Sequence, residues 1–472
     1  MNRILIFAAM IASLSGCMLG PDYRRPAVDM AQSFRYEPRE TAETADTQWW
    51  KGFNDPVLDG LIAEALAHNK GVLIAAANVE RAAGVLTSTR SSLFPQIGYS
   101  GAGNRQYLST TNAVPAPAQN PYSSFQVLAG TSWEIDFWGR TRRLSEAARA
   151  DLMASVEARR GVILSLVAEV ANAYIQLRSL DEQLRIAKNT LKNFGESVKL
   201  FELQVKYGQT PQMTLEQAKT QYETAAATIP QLETQFVQTE NGLAILLGHN
   251  PGPIAMGKSL AELNIPPVPA GLPSQLLERR PDVRQAEEGL IAANARIGAA
   301  KALYFPTISL TGYGGFMSEE LSRLFQGPSN VWNYAGSVVG PIFTAGNISG
   351  QVKQAEAGQK AALLAYEQSI QNAFADTENA LVAWQKLGVQ LGAEQRRVKA
   401  YSEYARLAQL QYRGGYTPYL TVLSAEQNLF PAALNEVQTR AAMLMAVVGI
   451  YKAMGGGWVA EGEKLARQKE GR

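Results

Sequence analysis

The chain offers very little that could do covalent chemistry. It holds one thiol, Cys17, and two imidazoles, His68 and His249, which stand far apart and in no metal-ligand spacing. Cys17 closes a distinctive N-terminal run. Arg3 and the amino terminus supply positive charge, Ile4 to Leu14 form a short apolar stretch, and Leu14-Ser15-Gly16 lead into the cysteine. That order reads as a secretory signal over residues 1–16 with a bacterial lipobox at its end. Cleavage before Cys17 would leave it as the first residue, carrying a covalent diacylglycerol and an N-linked acyl chain. Each buried methylene adds about 0.8 kcal/mol, so several chains hold a protein firmly to a bilayer. An acylated Cys17 leaves no sulfur for a disulfide, a metal or catalysis. Met18 follows in place of an aspartate, and by the sorting pattern of the enterobacterial-type lipoproteins this end resembles, that implies the outer membrane rather than inner-membrane retention.

No nucleophile triad, P-loop or dinucleotide fingerprint is present. The glycines from Gly312 to Gly315 follow a strand-like segment but open no helix, so they read as turn or barrel glycines. The 11 methionines do not cluster, which argues against a copper or silver specialisation. The expectation is a protein that is not an enzyme and has no cofactor beyond the lipid on Cys17. The 44 basic and 42 acidic residues nearly cancel, so nucleic acid is not an expected partner. Apolar residues make up 46% of the chain, yet no run of about 18 follows the signal. If the mature chain crosses a bilayer, it does so as β-strands.

What positions these residues is an internal repeat. AEVANAY at 168–174 answers ADTENAL at 375–381, and QVKYGQTPQMTLEQAKTQ at 204–221 answers QYRGGYTPYLTVLSAEQN at 411–428, both at an offset of 207. LFP at 93–95 answers YFP at 304–306 at an offset of 211, and a loop between 96 and 138 absorbs the difference. After a lipidated extended segment over 17–56, repeat 1 covers 57–247 and repeat 2 covers 273–454. A Pro-rich linker at 248–272 joins them, and a C-terminal tail spans 455–472.

Each repeat opens with helical residues, about 57–93 and 273–304, stopped by Pro95 and Pro306. A hairpin follows, over 96–138 and 306–344. Phe125, Val127, Ala129, Thr131, Trp133, Ile135 and Phe137 alternate with polar residues, and Trp332, Tyr334, Gly336, Val338, Gly340 and Ile342 repeat the phase. Then come long helices without proline, 140–206 and 346–413, each about 100 Å at 1.5 Å per residue. Turns carrying Gly208 and Pro211, or Gly414, Gly415 and Pro418, lead into returning helices at 211–247 and 418–454. The strands admit two readings, a soluble sheet packed on one face or a transmembrane barrel with apolar residues towards lipid. The lipobox and the shaft-like helices favour the barrel. Four strands cannot close alone, and open edges are not tolerated in lipid. Three chains give twelve strands and room for a lumen.

The motifs SGCMLGPDYRRP (15–26), FNDPVLDGLI (53–62), WEIDFWGRTR (133–142), GLPSQLLERRPDVRQAE (271–287), IGAAKALYFPTISLTG (297–312), GPIFTAG (340–346) and YKAMGGGW (451–458) span the chain in order. Through them it resembles the TolC superfamily of outer membrane factors, closest to the OprM-like, NodT-type efflux lipoproteins of resistance-nodulation-division (RND) tripartite pumps. The resemblance implies a mainly α fold with β, a long α-helical barrel plus a transmembrane β-barrel of four strands per protomer. It implies a homotrimer in the bacterial outer membrane, its α-barrel projecting into the periplasm. The implied partners are a periplasmic membrane-fusion adaptor and an RND-type inner-membrane transporter, which passes on drugs and toxic small molecules.

The resemblance also assigns sites. The turns with Gly208 and Thr210, and Gly415 and Thr417, become periplasmic tips that meet the adaptor. Met213 and Leu420 fall where the family has an apolar constriction, with Thr214, Glu216, Thr421 and Ser424 around the same gate. Ser424 stands where such ducts often carry an aspartate, and Thr214 occupies a second commonly acidic position, so Glu216, Glu223 and Glu426 are the nearby sources of negative charge. A carboxylate ring there would favour cations. Two alternatives stay open: the same fold serving protein secretion or metal-ion efflux, and a lipid-anchored coiled-coil scaffold without a pore.

Overall fold

A computed structural model describes residues 18–28, 34–36, 48–109, 111, 119–268, 276–455 and 458–459. The signal region and Cys17 lie outside these residues, as does most of the tail. The fold class expected from the sequence holds: long helices with one small antiparallel sheet. In order, the elements are α1 (Pro56–His68), α2 (Lys70–Ser91), β1 (Gln96–Gln106), β2 (Tyr122–Ile135), α3 (Arg140–Lys206), α4 (Gln212–Leu247), α5 (Pro281–Ala302), β3 (Thr307–Ser318), β4 (Asn330–Val339), α6 (Asn347–Arg413) and α7 (Tyr419–Ala453). Among the described residues no helix is long and apolar enough to cross a membrane.

Two local departures from the periodicity have physical causes. The helix expected over 57–93 is broken at Asn69, whose backbone is extended and whose Oδ1 accepts from Val72 N, so it ends α1 and caps α2. In the second copy a one-turn helix at Leu276–Arg279 is separated by Arg280 from the helix that starts at Pro281, proline being favoured at the first helical position; the expected start at 273 lies outside the described residues. The two 67-residue helices α3 and α6 are each preceded by a left-handed glycine, Gly139 and Gly346. Asp136 caps α3 by accepting from Thr141 N (3.0 Å) and Arg142 N (2.9 Å). The matching position before α6 is Phe343, which is exposed.

The chain divides into two compact units. One unit contains the sheet, with strand order β1-β2-β3-β4 and every pair antiparallel. The other contains the main apolar core. There, a 3-10 turn at Trp49–Phe53 packs with α1, the middle of α3 and the end of α7. Trp50 meets Trp458 edge-on at 4.8 Å and Trp49 stacks on Tyr451 at 5.1 Å. Trp458 and Val459 are buried, so the segment after α7 begins as part of this core.

Candidate functional site

The sheet sorts most of its side chains by face, with Leu128, Tyr313, Met317, Val331 and Val339 as apolar exceptions on the polar side. Because paired residues in an antiparallel ladder point to the same side, the registers Ile97↔Thr131, Thr131↔Gly312 and Gly312↔Tyr334 place these four together. Tyr99, Ala129, Gly314 and Trp332 form the row on one side of these, and Trp133, Leu310 and Gly336 the row on the other. Within the strands this face carries one charge, Arg105 at its far end. Its aromatic groups stand in the open: Tyr99 is 92% exposed, Trp332 72% and Tyr334 79%. Ser100, Ser132, Thr311 and Ala335 belong to the opposite face, with Gln126, Ser309, Ser337 and Glu134. Ser309 and Ser337 hydrogen-bond across it at 2.8 Å. Strands of 10–14 residues with one apolar and one polar face have the length and pattern of membrane-spanning barrel strands. Gly315 allows the β2–β3 approach, since a Cβ there would lie 2.2 Å from Val127 O.

At the C-terminal ends of α3 and α6 both copies build the same turn. Gly208 (φ 69°) donates to Val205 O and Gln209 N to Gln204 O; Gly415 (φ 74°) donates to Tyr412 O and Tyr416 N to Gln411 O. These are Schellman caps, and their left-handed glycines meet nothing that a Cβ would strike, so backbone conformation alone selects glycine. Pro211 and Pro418 then cap α4 and α7. Thr210 is half-buried, as is Thr417, whose Oγ1 is enclosed without a hydrogen-bond partner.

Just beyond the turns, one cluster packs the two copies together: Phe201, Leu215 and Ala218 against Tyr419, Val422 and Leu423. Met213 and Leu420 stay out of it, at 66% and 57% exposure. They are therefore not packing residues within the chain. Thr214, Thr421 and Ser424 are half-buried beside them, and Ser424 O accepts from Asn428 Nδ2.

The three carboxylates differ. Glu216 is exposed, and hydrogen bonds from Lys219 and Gln212 hold it below the usual carboxylate range. It is ionised but paired with a cation. Glu223 is exposed. Burial pushes Glu426 up to about 7, and its Oε2 finds no partner. Burial, with Glu426 nearby, also pushes Tyr419 to about 12.

Several motif residues singled out in the sequence prove to be architectural. Asp55 of FNDPVLDGLI is buried and accepts from Val57 N (2.9 Å), Tyr174 Oη (2.6 Å) and Lys258 N (3.0 Å). Burial beside Asp55 raises the Tyr174 phenol. Arg280 of ERRPDVRQAE grips Asp282, Asp376 and Ala453 O. One arrangement escaped the sequence altogether. Buried Arg143 donates to Leu19 O (3.0 Å), Asp22 Oδ1 (2.8 Å) and Glu146 Oε2 (2.8 Å). Leu19 N reaches Trp138 O, and Tyr23 and Arg25 both bond Glu287. The residues that follow Cys17 are thus strapped beside the end of β2. Partners more than 120 positions apart leave no local signal.

The family model described as outer membrane efflux protein matches residues 61–249 and 272–456. The chain is 35% identical over 467 residues to the probable efflux pump outer membrane protein TtgC of Pseudomonas putida, covering 97% of this chain and 96% of that one. It is 35% identical over 461 residues to the cation efflux system protein CusC of Escherichia coli, covering 97% and 99%. The open state of the Neisseria gonorrhoeae MtrE outer membrane channel superposes with a TM-score of 0.86 at 34% identity, covering 94% of this chain and 99% of that one.

Proposed function

Because the chain belongs to the outer membrane efflux protein family, we propose that it is the passive exit duct of a tripartite pump. Drugs and toxic small molecules reach it from an RND-type inner-membrane transporter through a periplasmic adaptor. The observation that carries this reading is the sheet: four strands whose apolar face stands bare and whose outer edges have no ladder partner among the described residues. Unpaired backbone cannot sit in lipid. A homotrimer satisfies those edges with twelve strands, and the polar face then lines the lumen.

Cys17 carries the acyl chains, and the strap from Leu19 to Arg25 holds that anchor beside the end of β2, where Trp138 donates its indole N–H to Pro306 O. The Schellman turns are the adaptor contacts. Met213 and Leu420 project from the tips as the apolar constriction of the resting gate. Glu216 brings negative charge already matched by Lys219, and Glu426 is half neutral near pH 7. A strongly cation-selective carboxylate ring therefore has little support from either. Transport needs no bond made or broken by this chain.

Purified protein in a planar bilayer should conduct in discrete steps. A deletion strain should lose resistance to compounds in a panel of antibiotics, organic solvents and metal cations, and a tagged copy should recover an adaptor. The panel also decides between drug and metal-ion efflux, since the relatives' names include both. Absence of conductance together with unchanged susceptibility overturns the reading.

A further inference from the structure

The sheet contains its own template for the missing strand junction. Shifting the first strand of the pair Gln96↔Ser132 by 211 and its partner by 207 lands on Thr307↔Val339, which is a pair of the second hairpin. The two hairpins therefore have the same register, and the two offsets found in the sequence are true strand equivalences: β3 corresponds to β1 and β4 to β2. The β2–β3 ladder is then the junction between the end of one repeat and the start of the next. Its register is Ile135↔Ile308, Thr131↔Gly312 and Phe125↔Ser318.

In a closed ring, each junction between β4 of one chain and β1 of the next is again an end-to-start junction of repeats. Barrel closure requires a fixed stagger. We propose that β4 docks on β1 of a second copy of this chain in the transposed β2–β3 register. Val338 then lies opposite Gly101, Ser337 opposite Ala102, Ala335 opposite Asn104 and Tyr334 opposite Arg105 of the second copy. This rests on the multi-chain barrel reading above and adds the strand register to it.

Three features of the free edges fit that partner. The faces match: Val338 and Gly101 belong to the apolar face, Ala335 and Asn104 to the polar one. The transposed ladder continues through Ile342 to Ile97. Those side chains are 102% and 82% exposed in the single chain, the exposure expected of an apolar pair waiting for cover. Trp332 and Tyr334 stack in parallel at 5.8 Å on the free edge. The register brings the guanidinium of Arg105, the lone charge of the apolar face, alongside that aromatic pair, where a cation is attracted to the ring faces.

Paired cysteines on the water-facing side test this in the full-length, membrane-inserted protein, with Cys17 left in place. Ala335→Cys combined with Asn104→Cys, and Ser337→Cys with Ala102→Cys, should form intersubunit disulfides on oxidation and give products of up to three chains on non-reducing gels. Ala335→Cys with Ala102→Cys places the thiols two residues out of register. At about 7–8 Å between such diagonal neighbours, its yield should fall about tenfold. Preferential cross-linking of the shifted pair overturns the register. So does the absence of any cross-link in a protein that still runs as a three-chain particle by light scattering. A disulfide in the Ala335→Cys single variant would mean that β4 pairs with β4 about a two-fold axis, which also overturns it. A single-chain particle with no cross-link in any variant removes the multi-chain barrel itself.

Discussion

Replacing Glu426 by glutamine should stabilise the helical tips at pH 8 and do nothing at pH 4. Burial raises this carboxyl from its ordinary 4.5 to about 7, and Oε2 is enclosed without a donor. The folded protein thus binds the proton more tightly than the unfolded chain. Stability is greatest below 4.5 and declines as pH rises through 7. At ~1.4 kcal/mol per pH unit, the full penalty above pH 7 is about 3 kcal/mol. Residual solvent contact reduces that, so about 2–3 kcal/mol is the expected gain for Glu426→Gln at pH 8. Hydrogen exchange of the amides in residues 198–220 and 405–430 measures the local opening free energy, in wild type and variant, from pH 4 to 8. Wild-type protection should weaken with rising pH beyond the intrinsic exchange trend, while the variant's should not. Equal protection of the two proteins at pH 8, or a less protected variant, would refute an unpartnered buried carboxylate.

Four further outcomes follow from the geometry. Gly208→Ala or Gly415→Ala forces a Cβ into left-handed backbone and should destabilise the tip by about 1 kcal/mol, read by the same exchange experiment. Asp55→Ala leaves the Tyr174 hydroxyl and two backbone amides without their acceptor, and should cost about 3 kcal/mol in denaturant unfolding. Tyr174→Phe, which removes the bond to Asp55 and leaves Gly257 N without its acceptor, should cost about 2 kcal/mol. Met213→Ser with Leu420→Ser should raise the resting conductance of the bilayer-inserted protein without lowering its stability, because neither side chain is packed within the chain.

The repeat made much of the architecture legible. The offset of 207 carried the strand phase, the long uninterrupted helices and the Gly-Pro turns, each written in a run of a few dozen residues. Local signals also found the stops, through proline and glycine chemistry. The break at Asn69 lay hidden because apolar periodicity continues across it, and only the asparagine's double role as end and cap reveals it. The Arg143 strap and the Asp55–Tyr174–Lys258 knot were illegible because their partners come from distant segments. Leu19, Asp22 and Asp55 fall inside motifs quoted for the family resemblance, yet the motifs give no hint of the partners they find outside them. The charge state of Glu426 is illegible for a related reason. Sequence places a glutamate near the gate, whereas burial decides whether it is charged.

The symmetry of the repeat also says where this chain's individuality can reside. In the sheet it is kept to the residue, Gln96↔Ser132 mapping onto Thr307↔Val339, because a ring of strands tolerates no drift in stagger. At the caps it is kept again, hydrogen bond for hydrogen bond. One turn beyond the caps it fails. Leu423 is buried in the cluster with Phe201, while its counterpart Glu216 lies in solvent with Lys219. Tyr419 is buried too, and its counterpart Gln212 donates to Glu216. Packing within one chain explains the division: α7 presents its first turns to the other repeat, and α4 presents the matching positions outward. A Glu216→Leu variant, which restores the symmetry in the apolar sense, should therefore leave the cluster around Phe201 intact and remove one exposed anion per chain together with its pairing to Lys219. Its tips should show wild-type exchange protection, and any change should appear in the ion selectivity or voltage response of the inserted channel. Lost protection around Phe201 would mean that Glu216 supports the fold, and that the asymmetry serves packing rather than the gate.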